Sequence, residues 1–190
     1  MSLLTLSEWL ERTEWSIALH ESAYAYAIVE SIHVWALCLF VGFAAMLDLR
    51  LLGLSFRRVP VSELASRLLP WTRVGFAVMV VSGVLLFYAI PVRSYHSVFF
   101  RLKLVLLVLA GLNVWLFHSG IYRRVARWDL DVPPPRRVRI AGALSLLLWA
   151  TIIFSGRMIA YNWFDCGRTQ SNLMIFLAEC GSFVDPYAVP

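Results

Sequence analysis

Four long apolar runs, at about residues 22–47, 74–90, 99–118 and 140–163, are what this chain must accommodate before anything else. At 1.5 Å of helical rise per residue, such runs match a hydrocarbon core of roughly 30 Å with some tilt. Inside a bilayer every backbone N–H and C=O must find its partner within the protein, so each run is predicted to be a transmembrane helix. The composition agrees: 60% of the 190 residues are apolar and 15% are charged, where an ordinary soluble domain carries about 25% charged residues. The predicted fold class is an all-α membrane protein, a four-transmembrane-helix bundle occupying residues 22–163 as one domain. Residues 1–21 precede it, and residues 164–190 follow as a tail.

The segment 3–21 (LLTLSEWLERTEWSIALHE) is helical in pattern but too charged to span. Thr5 and Glu8 have the spacing of a capping box, and Leu6, Trp9, Leu10 and Ile17 fall mostly on one side. It reads as an amphipathic helix lying in the membrane interface, anchored by Trp9 and Trp15. Glu8, Glu11 and Glu14 beside a single Arg12 are the opposite of a basic, cleavable leader. The first span is therefore expected to direct insertion.

The net charge of +5 is unevenly distributed. The 48–73 loop holds Arg50, Arg57, Arg58, Arg67 and Arg73, and the 119–139 loop holds Arg123, Arg124, Arg127, Arg136, Arg137 and Arg139. Eleven of the seventeen basic residues thus lie on one side of the four spans. Arginine and lysine concentrate in cytoplasmic loops, so both termini are expected outside, N-out and C-out, in a multi-pass membrane protein. No contiguous polybasic block is present, which argues against nucleic acid as a partner. The lipid bilayer is the expected environment.

This topology puts Cys166 and Cys180 in a non-cytoplasmic tail, where they can pair and close a small loop around the apolar stretch 173–178. Cys38 lies mid-helix and reads as a small core residue.

Ionisable groups within a bilayer are costly, so each one is a functional candidate. Glu30 and His33 are three residues apart on one face of the first span, with Tyr26 a turn above. Arg157, late in the fourth span, comes to a similar depth, with Tyr161 one turn further out. An outer polar cluster of Glu30, His33, Arg157 and Tyr161 is expected, in which Arg157 reaches Glu30. Asp48, Asn113 and His118 form a second, shallower group at the inner edge, where Asp48 can pair with an arginine and a structural role is expected.

Two histidines on different spans raise the possibility of a haem b held between them. The helical rise separates His33 and His118 by about 12 Å in depth, too far for one iron. A haem on His33, with Met158, His20 or His96 opposite and Arg157 toward a propionate, stays open. So does a quinone against the outer cluster and its aromatics, or a single metal ion on His33. The Glu30-x-x-His33 spacing occurs once, whereas a di-iron bundle needs it twice with two further carboxylates. The plain structural reading is a buried Glu30–Arg157 pair with a hydrogen-bonded His33. No nucleophile elbow, phosphate loop or zinc motif is present, so no catalytic residues are assigned.

SEWLERT near the start, ESIH in the first span and LDLRLLGL at its inner end are distinctive. So are LLPWTRVGF, FFRLKLVLLVLAGLNVWLFH and GALSLLLWATIIFSGRMIAY in the later spans. With these segments the chain resembles an uncharacterised family of bacterial four-helix inner-membrane proteins, a domain of unknown function, over residues 5–163. The resemblance implies fold and topology and carries no activity.

The function expected from these residues is a small membrane subunit, redox-associated through a haem or quinone, working with a protein partner or as a homo-oligomer. A purely structural or assembly subunit is the alternative. A transporter would call for broken helices or inverted repeats, and neither is evident.

Overall fold

The computed structural model describes residues 3–22, 24–161, 166 and 172–180, and every regular element among them is a helix. Helices α1 (Leu3–Glu11) and α2 (Glu14–Glu21) precede α3 (Ala25–Leu51) and α4 (Val61–Ala89). A short α5 (Pro91–His96) leads to α6 (Val98–Leu116), α7 (Arg136–Ala160) and a short α8 (Asn172–Ala178). Beyond α6 the chain tightens through a π turn (Phe117–Ile121) and a 3₁₀ turn (Tyr122–Arg127). Four helices are long and apolar enough to cross a membrane. The chain is a multi-pass membrane protein.

The second long helix begins at Val61, more than three turns before the apolar run at residue 74. Its start is marked by Pro60 and by Glu63 in the first turn, signals that apolar run length does not register. The last two residues of the expected fourth span, 162–163, lie outside the described residues.

Bare backbone sets the helix contacts. A Cβ on Gly75 of α4 would fall 2.8 Å from Leu39 Cδ2 and 3.2 Å from the Phe40 backbone nitrogen, so α3 and α4 approach more closely than side chains would allow. Gly142 of α7 does the same for α3, against the Asp48 carbonyl and Leu51. Between these contacts, Phe40, Met79, Leu148, Trp149 and Ile152 form the core. The Phe40 ring meets Trp149 edge-on at 4.6 Å.

The N-terminal segment is two helices, not one. It breaks at Thr13, and Thr5 lies inside α1 rather than at its cap. The side turned to the bundle is lined by serine: Ser7 and Ser16 are buried, and the Ser16 hydroxyl donates to the Tyr88 carbonyl at 2.8 Å. Leu3, Trp9 and Trp15 are exposed.

At the other end Arg50 is fully buried. Its Nε donates to the Val59 carbonyl at 2.8 Å and its Nη2 to the Asp129 carbonyl at 3.0 Å. The Asp129 carboxylate in turn accepts from the Ser62 amide at 2.8 Å and from the Ser62 hydroxyl. One guanidinium therefore ties the α3–α4 loop to the loop preceding α7. Asp48, expected to pair with an arginine, instead faces Ser145 of α7. Arg50 lies two residues on and turns to a different side of α3, toward the loops.

Replacing Arg50 with Ala deprives the half-buried Val59 and Asp129 carbonyls of a charged donor and should lower stability by about 3 kcal/mol. Thermal unfolding in lipid nanodiscs measures this; a change below about 1 kcal/mol would mean that the loops are held by other contacts.

Candidate functional site

His33 sits on the inward face of α3, half-buried. Its Nδ1 lies 3.0 Å from the Ser82 Oγ of α4. The same oxygen is 2.7 Å from the Val78 carbonyl. A hydroxyl has one proton and a carbonyl can only accept, so Ser82 donates to Val78 and accepts from His33 Nδ1–H. In the neutral imidazole this assigns the tautomer and leaves Nε2 with its lone pair. Gly83 makes the room, since a Cβ there would lie 3.2 Å from His33 Cε1.

Lys103 of α6 completes the site. Position along α6 alone gives it a snorkelling role at the outer end of the span. Instead its ammonium turns into the bundle, 3.4 Å from where Gly156 of α7 would carry a Cβ, and within electrostatic reach of His33. Among the described residues Lys103 makes no hydrogen bond or ion pair. All four spanning helices contribute at this level: His33 from α3, Ser82 and Gly83 from α4, Lys103 from α6 and Gly156 from α7. The only sequence signal for Lys103 was its rarity, as the single lysine beside sixteen arginines.

The expected Glu30–Arg157 pair is absent. Glu30 is exposed and its charge is felt by Tyr26, as is that of Arg93. Arg157 is also exposed, and its Nη2 donates to the Tyr161 hydroxyl one turn further on at 3.1 Å, with the guanidinium 4.9 Å from the ring centre. The i,i+4 neighbour on the same helix outcompetes a partner on another helix because it needs no reach across the bundle. Arg157 and Tyr161 therefore lie together, but apart from His33.

His118, in the π turn that follows α6, is fifteen residues further along the chain than Lys103, about 22 Å in depth. Its Nδ1 donates to the Val114 carbonyl of its own helix at 3.0 Å. Asn113 joins α6 to α7 through the Ala141 carbonyl at 3.2 Å. Met158 is buried on α7, about 200° around the helix from Gly156 and so on another face. Cys38, expected in the core, is exposed. No group of three or more His, Cys, Asp or Glu side chains able to hold a metal ion exists among the described residues.

At the end of the bundle opposite Arg50, α8 is fastened to the spanning helices. Cys166 and Cys180 are joined by a disulfide. His96 is buried, its Nδ1 donating to the Ala178 carbonyl at 2.7 Å, and Arg101 Nη1 donates to the Leu177 carbonyl at 2.9 Å. These two side chains meet the free carbonyls at the end of α8, where cationic groups are favourable. The Glu179 carboxylate accepts from the Tyr95 hydroxyl at 2.6 Å.

The sequence matches a family of unknown function, DUF6644, over residues 8–162. The chain belongs to that family. No curated protein and no solved structure matches it. For this DUF6644 member the chemistry must therefore be read from the site itself.

The Tyr95 hydroxyl, with help from Arg101, holds the Glu179 carboxyl below its ordinary 4.5, and the same bond raises Tyr95. A carboxyl lowered in the folded state stabilises above its unfolded value and loses that contribution as pH falls through its folded value. The difference in unfolding temperature between the unaltered protein and Glu179→Gln should be present at neutral pH and close as pH drops below 4.5. A difference independent of pH would show that the carboxylate does not hold the tail.

Proposed function

We propose that this chain is a small integral-membrane subunit that binds a quinone-type ligand between His33, Ser82 and Lys103. The observation that carries the reading is Lys103, an ammonium turned into the bundle with no protein partner among the described residues. An unpaired charge in hydrocarbon is costly, and a polar ligand oxygen would offset that cost. Lys103 can donate to a ring carbonyl, while His33 Nε2, left as an acceptor by the Ser82 bond, can take the hydroxyl of the reduced ring. A bound quinone supplies two-electron, two-proton carrier chemistry, which supports a redox-associated role alongside a partner complex or in a homo-oligomer.

Haem b fits these residues less well. His33 Nε2 has the lone pair an iron takes, and Ser82 orients the ring as a supporting group would. Yet Lys103 opposes a further cation at that spot, His118 lies too deep, and Met158 faces elsewhere. The same charge argues against a lone metal ion.

The orientation we favour keeps the arginine-rich loops cytoplasmic and both termini outside, in a bacterial inner membrane. The N-terminal helices then lie in the outer interface, and their exposed Trp9 and Trp15 suit that position. A purely structural subunit is the competing reading, because the His33–Ser82 bond also joins α3 to α4 as a staple would.

The two readings part on binding. In nanodiscs, a short-tailed benzoquinone should quench tryptophan fluorescence saturably, and His33→Ala and Lys103→Met should each weaken binding about tenfold, the worth of one charge-assisted hydrogen bond. Quenching unchanged in both variants would exclude this site. Folded variants with no quenching in any form, the unaltered protein included, would favour the structural subunit.

A further inference from the structure

The 48–73 and 119–139 segments hold eleven of the seventeen basic residues, all eleven arginine, and their structure points to a use. The Arg50–Asp129 tie brings the two arginine-rich loops together. Gly53, at φ +73°, packs so close to Pro134 that a Cβ would lie 3.0 Å from its Cδ, and the Val61 amide donates to the Asp129 carbonyl at 3.2 Å. These contacts join the two loops into one platform.

On this platform Arg58 and all six arginines of the 119–139 segment are exposed, and none makes a hydrogen bond or ion pair with another described residue. Arg57 is also exposed and is anchored through Nε to the Gly53 carbonyl at 2.7 Å, with its terminal nitrogens left over. Acidic side chains do not balance them. Asp129 is taken up by Ser62, and Glu63 by Arg67. Among the described residues, Asp131 is the platform's one exposed carboxylate without a partner. Exposed apolar side chains stand among the arginines: Leu54, Phe56, Leu130 and Val132.

We propose that this two-loop platform is a binding surface for the phosphate headgroups of anionic phospholipids in the surrounding leaflet. Three features of its chemistry select that occupant. Guanidinium groups grip phosphate oxygens bidentately, which ammonium groups do not, and every basic residue here is arginine. The interleaved apolar side chains match a surface with hydrocarbon immediately behind the phosphates; a soluble acidic ligand would leave them in water. A fixed platform also forfeits little ordering entropy when lipid binds.

The test is lipid selectivity. The full chain is reconstituted in phosphatidylcholine bilayers containing a minor fraction of spin-labelled phosphatidylglycerol or spin-labelled phosphatidylcholine, and the motionally restricted fraction of each is measured. Phosphatidylglycerol should be preferred, and the preference should fall at high salt. Combining Arg136→Gln, Arg137→Gln and Arg139→Gln should lower it at least about fivefold, the worth of roughly one arginine at an anionic surface. The corresponding triple change to Lys keeps insertion charge and should retain part of the preference. Equal restriction of the two lipids, or a preference indifferent to the glutamine changes in a protein that still inserts and folds, would overturn the proposal. Complete displacement of the preference by millimolar inorganic phosphate at constant ionic strength would overturn the lipid as occupant in favour of free phosphate.

Discussion

Hydrocarbon offers no hydrogen-bond partner, and the rest of this structure follows from how the chain meets that constraint. Backbone groups are satisfied by helix formation. Side chains such as His33, Asp48, Arg50 and Lys103 cannot be, and each is turned into the bundle or into a loop junction. Small residues make those turns possible. Gly83 opens space for the imidazole, Gly156 for the ammonium and Gly142 for the backbone beside Asp48. Gly75 brings α3 and α4 together against Leu39 and Phe40, while Gly83, Gly142 and Gly156 admit polar groups between helices.

The resulting molecule has two ends of different character. At one end, Arg50 spends its hydrogen bonds on loop carbonyls and ties together an arginine-bearing surface. At the opposite end, α8 is held by His96 and Arg101, and the N-terminal helices dock through buried serines. Between the ends lies one level at which four helices surround polar groups. There Ser82 bonds both the Val78 carbonyl and His33, and Lys103 has no hydrogen-bond or ion-pair partner among the described residues. That unmet capacity is the basis of the proposed ligand site.

The bundle itself was legible in the sequence because run length and apolar content report directly on what a bilayer demands. Helix starts were less legible: α4 begins with polar turns that a search for apolar runs assigns to a loop. His33 was found because a buried ionisable group stands out, but its partners were misread. Depth along a helix can be counted from sequence, whereas azimuth and side-chain reach are decided by packing. Hence Glu30 and Arg157 were placed at compatible depths yet never meet, since Arg157 has Tyr161 one turn away. Lys103 stands near the start of α6, a position that by count alone suits snorkelling, but the gap left by Gly156 on another helix draws it inward. Buried Arg50 escaped for the same reason, because the carbonyls that receive it come from two loops distant in sequence.

The central claim is that Ser82 holds His33 in one tautomer, with Nε2 free to meet a ligand beside Lys103. Solid-state nitrogen NMR of ¹⁵N-histidine-labelled protein in bilayers, with the His33 signals assigned by comparison with His33→Ala, reads both ring nitrogens directly. The account predicts a protonated Nδ1 and an unprotonated Nε2 at neutral pH, with that preference lost in Ser82→Ala. A protonated Nε2 with a bare Nδ1, or a spectrum unchanged by Ser82→Ala, would contradict it.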